Sequence, residues 1–333
     1  MLGVGHRWDP WQERPSGLVV PTRIDPDGSA GPTRAQARGP YWRQVAHGWY
    51  VPSSVDGTRV EQRILEQGVR VPSSGGVTAW ASLRWRGGTF FDGLADGGRT
   101  VLPIPLLPGG VGNLGRDPRA SVSREQFAPY EREVVAGLGC ATVTRAVFDE
   151  IRRCGSLRRA VVSIEMAVAA GLTTVEEVST YVGTRSSWTG VPLARKAAGL
   201  AGDHSRSPQE TLMKLIWRLD AGFPEPVCNR AIFDLQGNLL GYPDLLDPVA
   251  GVVGEYDGED HRSAARHRAD VAREELFRDH GLEYFTVVGD DMAHPGLVVT
   301  RMQRARARAK FLPPESRAWT LEPPPWWNRP LHR

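Results

Sequence analysis

Four acidic residues at fixed spacing constrain this chain most: Glu210, Asp244, Glu255 and Asp257. Glu210 stands in Ser207-Pro208-Gln209-Glu210, a helix start with serine at the cap and proline in the first turn. Asp244 follows Pro243, and Glu255-Tyr256-Asp257-Gly258 comes eleven residues after it. The pattern predicts a helix over 207–221, closed by Gly222, and strands near 227–234, 239–246 and 251–257. Gln236-Gly237-Asn238 and Asp247-Pro248 fall in the turns between them. Side chains alternate along a strand, so Glu255 and Asp257 share a face and Tyr256 takes the other. The short connection from Leu246 to Gly251 suits a hairpin, which sets Asp244 beside Glu255. Carboxylates crowded on one face repel strongly. A hard divalent cation, Mg²⁺ or Mn²⁺, relieves that repulsion through oxygen ligands and can activate water against a phosphodiester. The helix over 207–221 would pack on the sheet and bring Glu210 from its first turn.

Each position also has an ordinary structural reading. Ser207-x-x-Glu210 is a capping box. Asp257-Gly258 is a strong turn pair, Asp244 after proline suits a turn, and His261 suits an exposed surface. The joint spacing is what points to a site.

Beyond the carboxylates, 263–280 reads as a charged helix closed by Gly281, 283–288 as a strand and 295–311 as a basic helix. The order helix, three strands, helix, strand, helix describes a mixed α/β layer. The last helix carries Arg301, Arg304, Arg306, Arg308 and Lys310 without an acid among them. Such a run meets phosphate or forms a solvated face.

The strings Ser207-Pro208-Gln209-Glu210, Gly241-Tyr242-Pro243-Asp244-Leu245 and Gly254-Glu255-Tyr256-Asp257-Gly258-Glu259-Asp260-His261 resemble the PD-(D/E)xK nuclease superfamily. Within it they are most similar to the domain related to the Vsr mismatch endonucleases. His267 to Glu274 and Gly281-Leu282-Glu283-Tyr284-Phe285 share the likeness, which covers about 205–312. It implies a restriction-endonuclease-like mixed sheet flanked by helices, acting on DNA. Asp244 and Glu255 would ligate the metal, joined by Asp257, and Glu210 would support it directly or through water. The usual third-position lysine is Asp257 here. Either Asp257 helps hold a second metal, or a nearby cation (His261, Arg262 or Arg266) takes the lysine's place, or catalysis is lost and DNA binding remains. His261 is also a candidate general acid or base. Arg262, Arg266, Arg301, Arg304 and Arg308 are candidate DNA contacts.

The remainder divides by composition. With 333 residues, two or three domains are expected. The 37 glycines and 26 prolines point to long loops and tails. Residues 1–30 lack apolar periodicity and read as a mobile arm. Residues 31–56 hold a short helix and an aromatic hairpin turning at His47-Gly48, compatible with a shortened winged helix; this part is similar to the start of AbiEi-type antitoxins. Residues 57–202 read as a mainly helical scaffold, with helices at 61–67, 77–83, 144–153 and 157–170, two more from Thr173 and Pro192, and a strand over 100–106. Residues 203–312 form the nuclease-like domain. The tail, 313–333, carries Pro323-Pro324-Pro325-Trp326-Trp327, expected to run extended with its tryptophans docked on the body.

Net charge is only +3, which decides nothing about partners. Cys140, Cys154 and Cys228 are odd in number and match no metal-binding spacing, which suits a reduced, cytoplasmic protein. No apolar run suits a signal peptide or a membrane span. The expected function is a metal-dependent DNA endonuclease; the alternative is a non-catalytic, antitoxin-like DNA-binding regulator with a degenerate nuclease domain.

Overall fold

The computed structural model describes residues 17–95, 97–110, 114–258 and 264–332, with the backbone alone over 264–270. The architecture is mixed α/β, in two compact units that meet in sequence at Ala201 and Gly202. Among the described residues no helix is long and apolar enough to cross a membrane.

The first unit opens with a hairpin, β1 (Trp42–Ala46) and β2 (Trp49–Pro52), turning at His47-Gly48. A single 3-10 turn, Gln36–Arg38, precedes it. Residues 17–30, read from sequence as part of a mobile arm, are tied down. Val19 exchanges two 3.0 Å hydrogen bonds with the Gln62 side chain, and Thr22 pairs with Tyr50. The hairpin packs on α1 (Val60–Gly68) through an ion pair between Arg43 and Glu66 at 2.7 Å.

Next come β3 (Gly76–Val77), α2 (Ala79–Trp85), the small pair β4 (Leu94–Ala95) and β5 (Thr100–Val101), β6 (Ile104–Leu107), β7 (Ala120–Val122), β8 (Arg132–Val135) and β9 (Leu138–Ala141). Five of these form a mixed sheet in the order β7-β6-β3-β9-β8. That sheet lies within the stretch read from sequence as a mixed, mainly helical scaffold, with a single strand expected over 100–106. Its strands are two to four residues long, too short for alternation to show, and Pro105 and Gly139 sit inside them. Four helices follow: α3 (Val143–Ile151), α4 (Leu157–Ala169), α5 (Val175–Gly183) and α6 (Val191–Ala198). Ser156 and Thr174 cap α4 and α5, and Glu177 completes the capping box of α5.

The second unit contains α7 (Pro208–Leu215), continued by a π turn over Ile216–Asp220, then β10 (Ile232–Asp234), β11 (Leu239–Gly241), β12 (Leu245–Asp247), β13 (Val252–Asp257), α8 (Ala264–Asp279), β14 (Glu283–Val288), α9 (Pro295–Arg308) and β15 (Trp319–Thr320). The central sheet has β13 in its middle, antiparallel to β12 and parallel to β14. The strand expected over 239–246 is broken at Tyr242-Pro243-Asp244, because Pro243 has no N–H for a ladder.

The central sheet is covered on both faces, and alternation sorts its side chains between two cores. Leu245 and Val252 join Met213, Trp217, Phe285, Val298 and Met302. Leu246 and Val253 join Ile232, Phe277, Leu282, Tyr284 and Trp319. Asp244, Glu255 and Asp257 therefore belong to the face that carries Leu246 and Val253, covered by α8. Tyr256 packs on the opposite core. A Cβ on Gly254 would sit 2.3 Å from the Phe285 ring, so only glycine fits between the two strands there.

The C-terminal tail is a strap on this unit. β15 pairs with β10, Trp327 meets Phe233 edge-on at 4.8 Å between ring centroids, and the Tyr242 hydroxyl donates to the Pro330 carbonyl. Trp319 is buried, while Trp326 is exposed.

Candidate functional site

Asp244 and Glu255 are brought together by register. Leu245 pairs with Gly254, so Asp244, one residue back, faces Glu255. The β12–β13 ladder ends there, and the Asp244 side chain takes over: its Oδ2 accepts the Tyr256 backbone N–H at 2.7 Å. The turn joining the two strands is fixed by Asp247, whose Oδ1 accepts the Val249 and Ala250 N–H groups while Oδ2 pairs with Arg306 of α9 at 3.0 Å.

Glu210 arrives from the other side of the sheet. Ser207 Oγ accepts the Glu210 N–H, the ordinary cap of α7. The Glu210 carboxylate does not close the box onto Ser207. Its Oε2 accepts the Arg206 N–H at 2.9 Å and the Asn229 side-chain N–H at 2.8 Å. Asn229 is buried with φ +51, and its own N–H donates to the Pro243 carbonyl at 2.9 Å. One asparagine thus links Glu210 to the Pro-Asp segment.

Glu255 is held by two partners. Tyr284 of β14 donates its hydroxyl to Oε2 at 2.9 Å, and Arg273 of α8 lies 3.3 Å from Oε1. Burial pushes the Tyr284 hydroxyl up, and the Glu255 charge adds to it. Asp244 is displaced too. Burial first, then the charges of Glu210 and Glu255, push its carboxyl up to about 7, against the pull of the Tyr256 N–H and of Arg273. Three carboxylates therefore feel one another at this point. Asp257 lies further along the same strand, opposite Val288.

His261 and Arg262 fall outside the described residues, as does the side chain of Arg266. The basic run of α9 finds its acids from outside the helix. Arg301 pairs with Asp291 and donates to the Thr286 carbonyl, and Arg308 pairs with Glu283 at 3.0 Å, while Arg304 is exposed. Sequence reasoning did not find Asn229, Tyr284 or Arg273. The last carries one readable signal, its position two helical turns after Arg266.

The donors suit a hard divalent cation in kind: oxygen ligands whose burial, and then mutual charge, raise the Asp244 pKa, a cost that a cation would relieve. Among the described residues, though, no three His, Cys, Asp or Glu side chains form a group placed to hold a metal.

No protein-family model, curated protein or solved structure matches the chain. Its own site geometry therefore carries the functional reading.

Proposed function

We propose that the second unit is a metal-dependent endonuclease acting on the phosphodiester bonds of DNA. The observation that carries this reading is the register of β12 and β13, which sets Asp244 and Glu255 side by side. The order of elements supports it: a helix, three strands, a helix and a strand, with the central strand antiparallel to one neighbour and parallel to the other.

In this reading Asp244 and Glu255 hold Mg²⁺ or Mn²⁺, and Asp257 stands next on the same strand face. A cation bound there supplies Lewis acidity at the phosphate and a more acidic water. The chain's own residues orient the donors. Tyr284 fixes one Glu255 oxygen, the Tyr256 N–H fixes Asp244, and Asn229 fixes Glu210 behind them. Arg304 is an exposed contact for the DNA backbone.

The test is incubation of the full chain with plasmid, single-stranded and mismatched DNA in Mg²⁺ or Mn²⁺, beside Asp244→Ala. Cleavage by the wild type and its loss in the variant supports the reading. Cleavage that persists in the variant, or that no substrate elicits, sinks it.

A second reading is a DNA-binding regulator of antitoxin type without catalysis. It is favoured by Asp257 in the lysine position and by the ion pair that Arg273 makes with Glu255. Sequence-specific binding that survives EDTA, with no cleavage, selects it.

A further inference from the structure

Position 257 carries a negative charge where the resemblance puts lysine, yet a positive charge does reach the carboxylates. It comes from α8. Arg273 Nη1 stands 3.3 Å from Glu255 Oε1, and its charge is felt at Asp244 and Tyr284 as well. Gly241 lies beside it: a Cβ there would sit 3.0 Å from the Phe277 ring and at ordinary contact distance, 3.7 Å, from Arg273 Cδ. The Arg273 side chain is 35% exposed against 13% for Glu255, so the guanidinium bridges from the covered carboxylate towards solvent.

We infer that Arg273 is the charge-supplying residue of this site, anchored on Glu255 and offered to a phosphodiester oxygen of bound DNA. Arginine suits the role because its planar fork holds one anion and donates to another, and because it stays charged at any working pH. Without a cation it balances Glu255. With Glu255 and Asp244 holding a cation, Arg273 would be left to phosphate, the position a strand lysine at 257 would cover. The inference rests on the nuclease reading.

Three measurements on the full chain test it: Mn²⁺ binding without DNA by electron paramagnetic resonance, binding of a short labelled duplex in Ca²⁺ by anisotropy, and cleavage in Mg²⁺. Arg273→Met is expected to bind Mn²⁺ as well as wild type or better, to bind duplex more weakly, and to cleave at least about 100-fold more slowly. Arg273→Lys is expected to recover most of that loss. Should Arg273→Met melt early, Arg273→Gln takes its place. Wild-type cleavage rates in the neutral variant overturn the inference and leave the nuclease reading standing. A neutral variant that loses Mn²⁺ binding along with cleavage also overturns it, since Arg273 then only holds Glu255 in place. A wild type that neither binds Mn²⁺ nor cleaves overturns both.

Discussion

The Asp244 carboxylate accepts the Tyr256 backbone N–H at 2.7 Å, so one candidate metal ligand terminates the ladder that carries the other. The bond uses one oxygen in either protonation state, and the structural and chemical roles of Asp244 therefore separate.

Asp244→Asn keeps an oxygen for Tyr256 and removes the charge. The Asp244 carboxyl is pushed from its ordinary 3.8 up to about 7 in the fold. A carboxyl raised in this way favours folding fully below 3.8, and that advantage is lost as pH rises through about 7. At pH about 8 the ionised group burdens the native state. Asp244→Asn is expected to stabilise the apo protein there by about 1–2 kcal/mol, a figure discounted because the side chain is only half-buried. Urea unfolding at about pH 8 and at about pH 4 measures it, and the gain should fade at the lower pH. Mn²⁺ should raise the melting temperature of wild type and leave Asp244→Asn unmoved.

Local chemistry was readable from sequence wherever a single element decided it. The strand Glu283–Val288, the hairpin turning at His47-Gly48 and the start of α7 at Ser207-Pro208 stand where their residues place them. Alternation also put Glu255 and Asp257 on one face. What stayed hidden depends on distant chain. The five-stranded sheet of the first unit has strands too short to show a period. Glu210 looked like half of a capping box because Asn229, its partner, is reached only through the fold. The acid-free run in α9 read as free positive charge because Asp247, Glu283 and Asp291 lie on other elements.

The first unit has its own charged core, centred on Arg145. Its fully buried guanidinium pairs with Glu131 at 2.9 Å and Asp149 at 3.0 Å and lies 4.7 Å from the Trp188 ring centre. Asp149 also accepts from Thr78 at 2.7 Å, which ties the start of α2 to α3. Removing the arginine takes one of two cationic partners from each buried carboxylate and leaves Asp149 to Arg152 and Glu131 to Arg185. Arg145→Met is expected to destabilise this unit by about 3–5 kcal/mol in urea unfolding. A loss under about 1 kcal/mol would mean that the network carries no net charge burden.

The strap ends in a pair of stacked histidines. His332 lies 3.5 Å from His204 between ring centroids, with Nδ1 3.1 Å from the Cys228 carbonyl and Nε2 3.3 Å from Arg230 Nη1. Nδ1 faces the carbonyl as its donor, and Nε2 faces the Arg230 guanidinium. Burial, then His332, with Arg230 and Lys214 behind it, hold the His204 pKa below its ordinary 6.5, against the pull of Asp203. A histidine depressed in the fold favours folding above its unfolded value and loses that contribution as pH falls through it. His204 should therefore pull the urea midpoint down between about pH 7.5 and about 5.5, against the rise that Asp244 gives over the same range, and His204→Gln should remove that pull. An unchanged slope in that variant would remove His204 from the account.

Asn229 gives the strictest test of how the site is held. Its φ of +51 is tolerable for asparagine and costly for most other residues. Its side chain donates to Glu210 at 2.8 Å and to the His204 carbonyl at 2.9 Å. Asn229→Ala loses both bonds and keeps the strained backbone, so a loss of about 2–4 kcal/mol is expected. Asn229→Gly loses the same bonds but relaxes the backbone, and should cost about 1 kcal/mol less. Asn229→Asp sets a second carboxylate against Glu210 and should be worse at pH about 8 than at about 5. The two neutral variants separate strain from bonding. If both cost the same, the left-handed conformation stores nothing. If both leave stability unchanged while Mn²⁺ affinity falls, Asn229 positions Glu210 for the metal rather than for the fold.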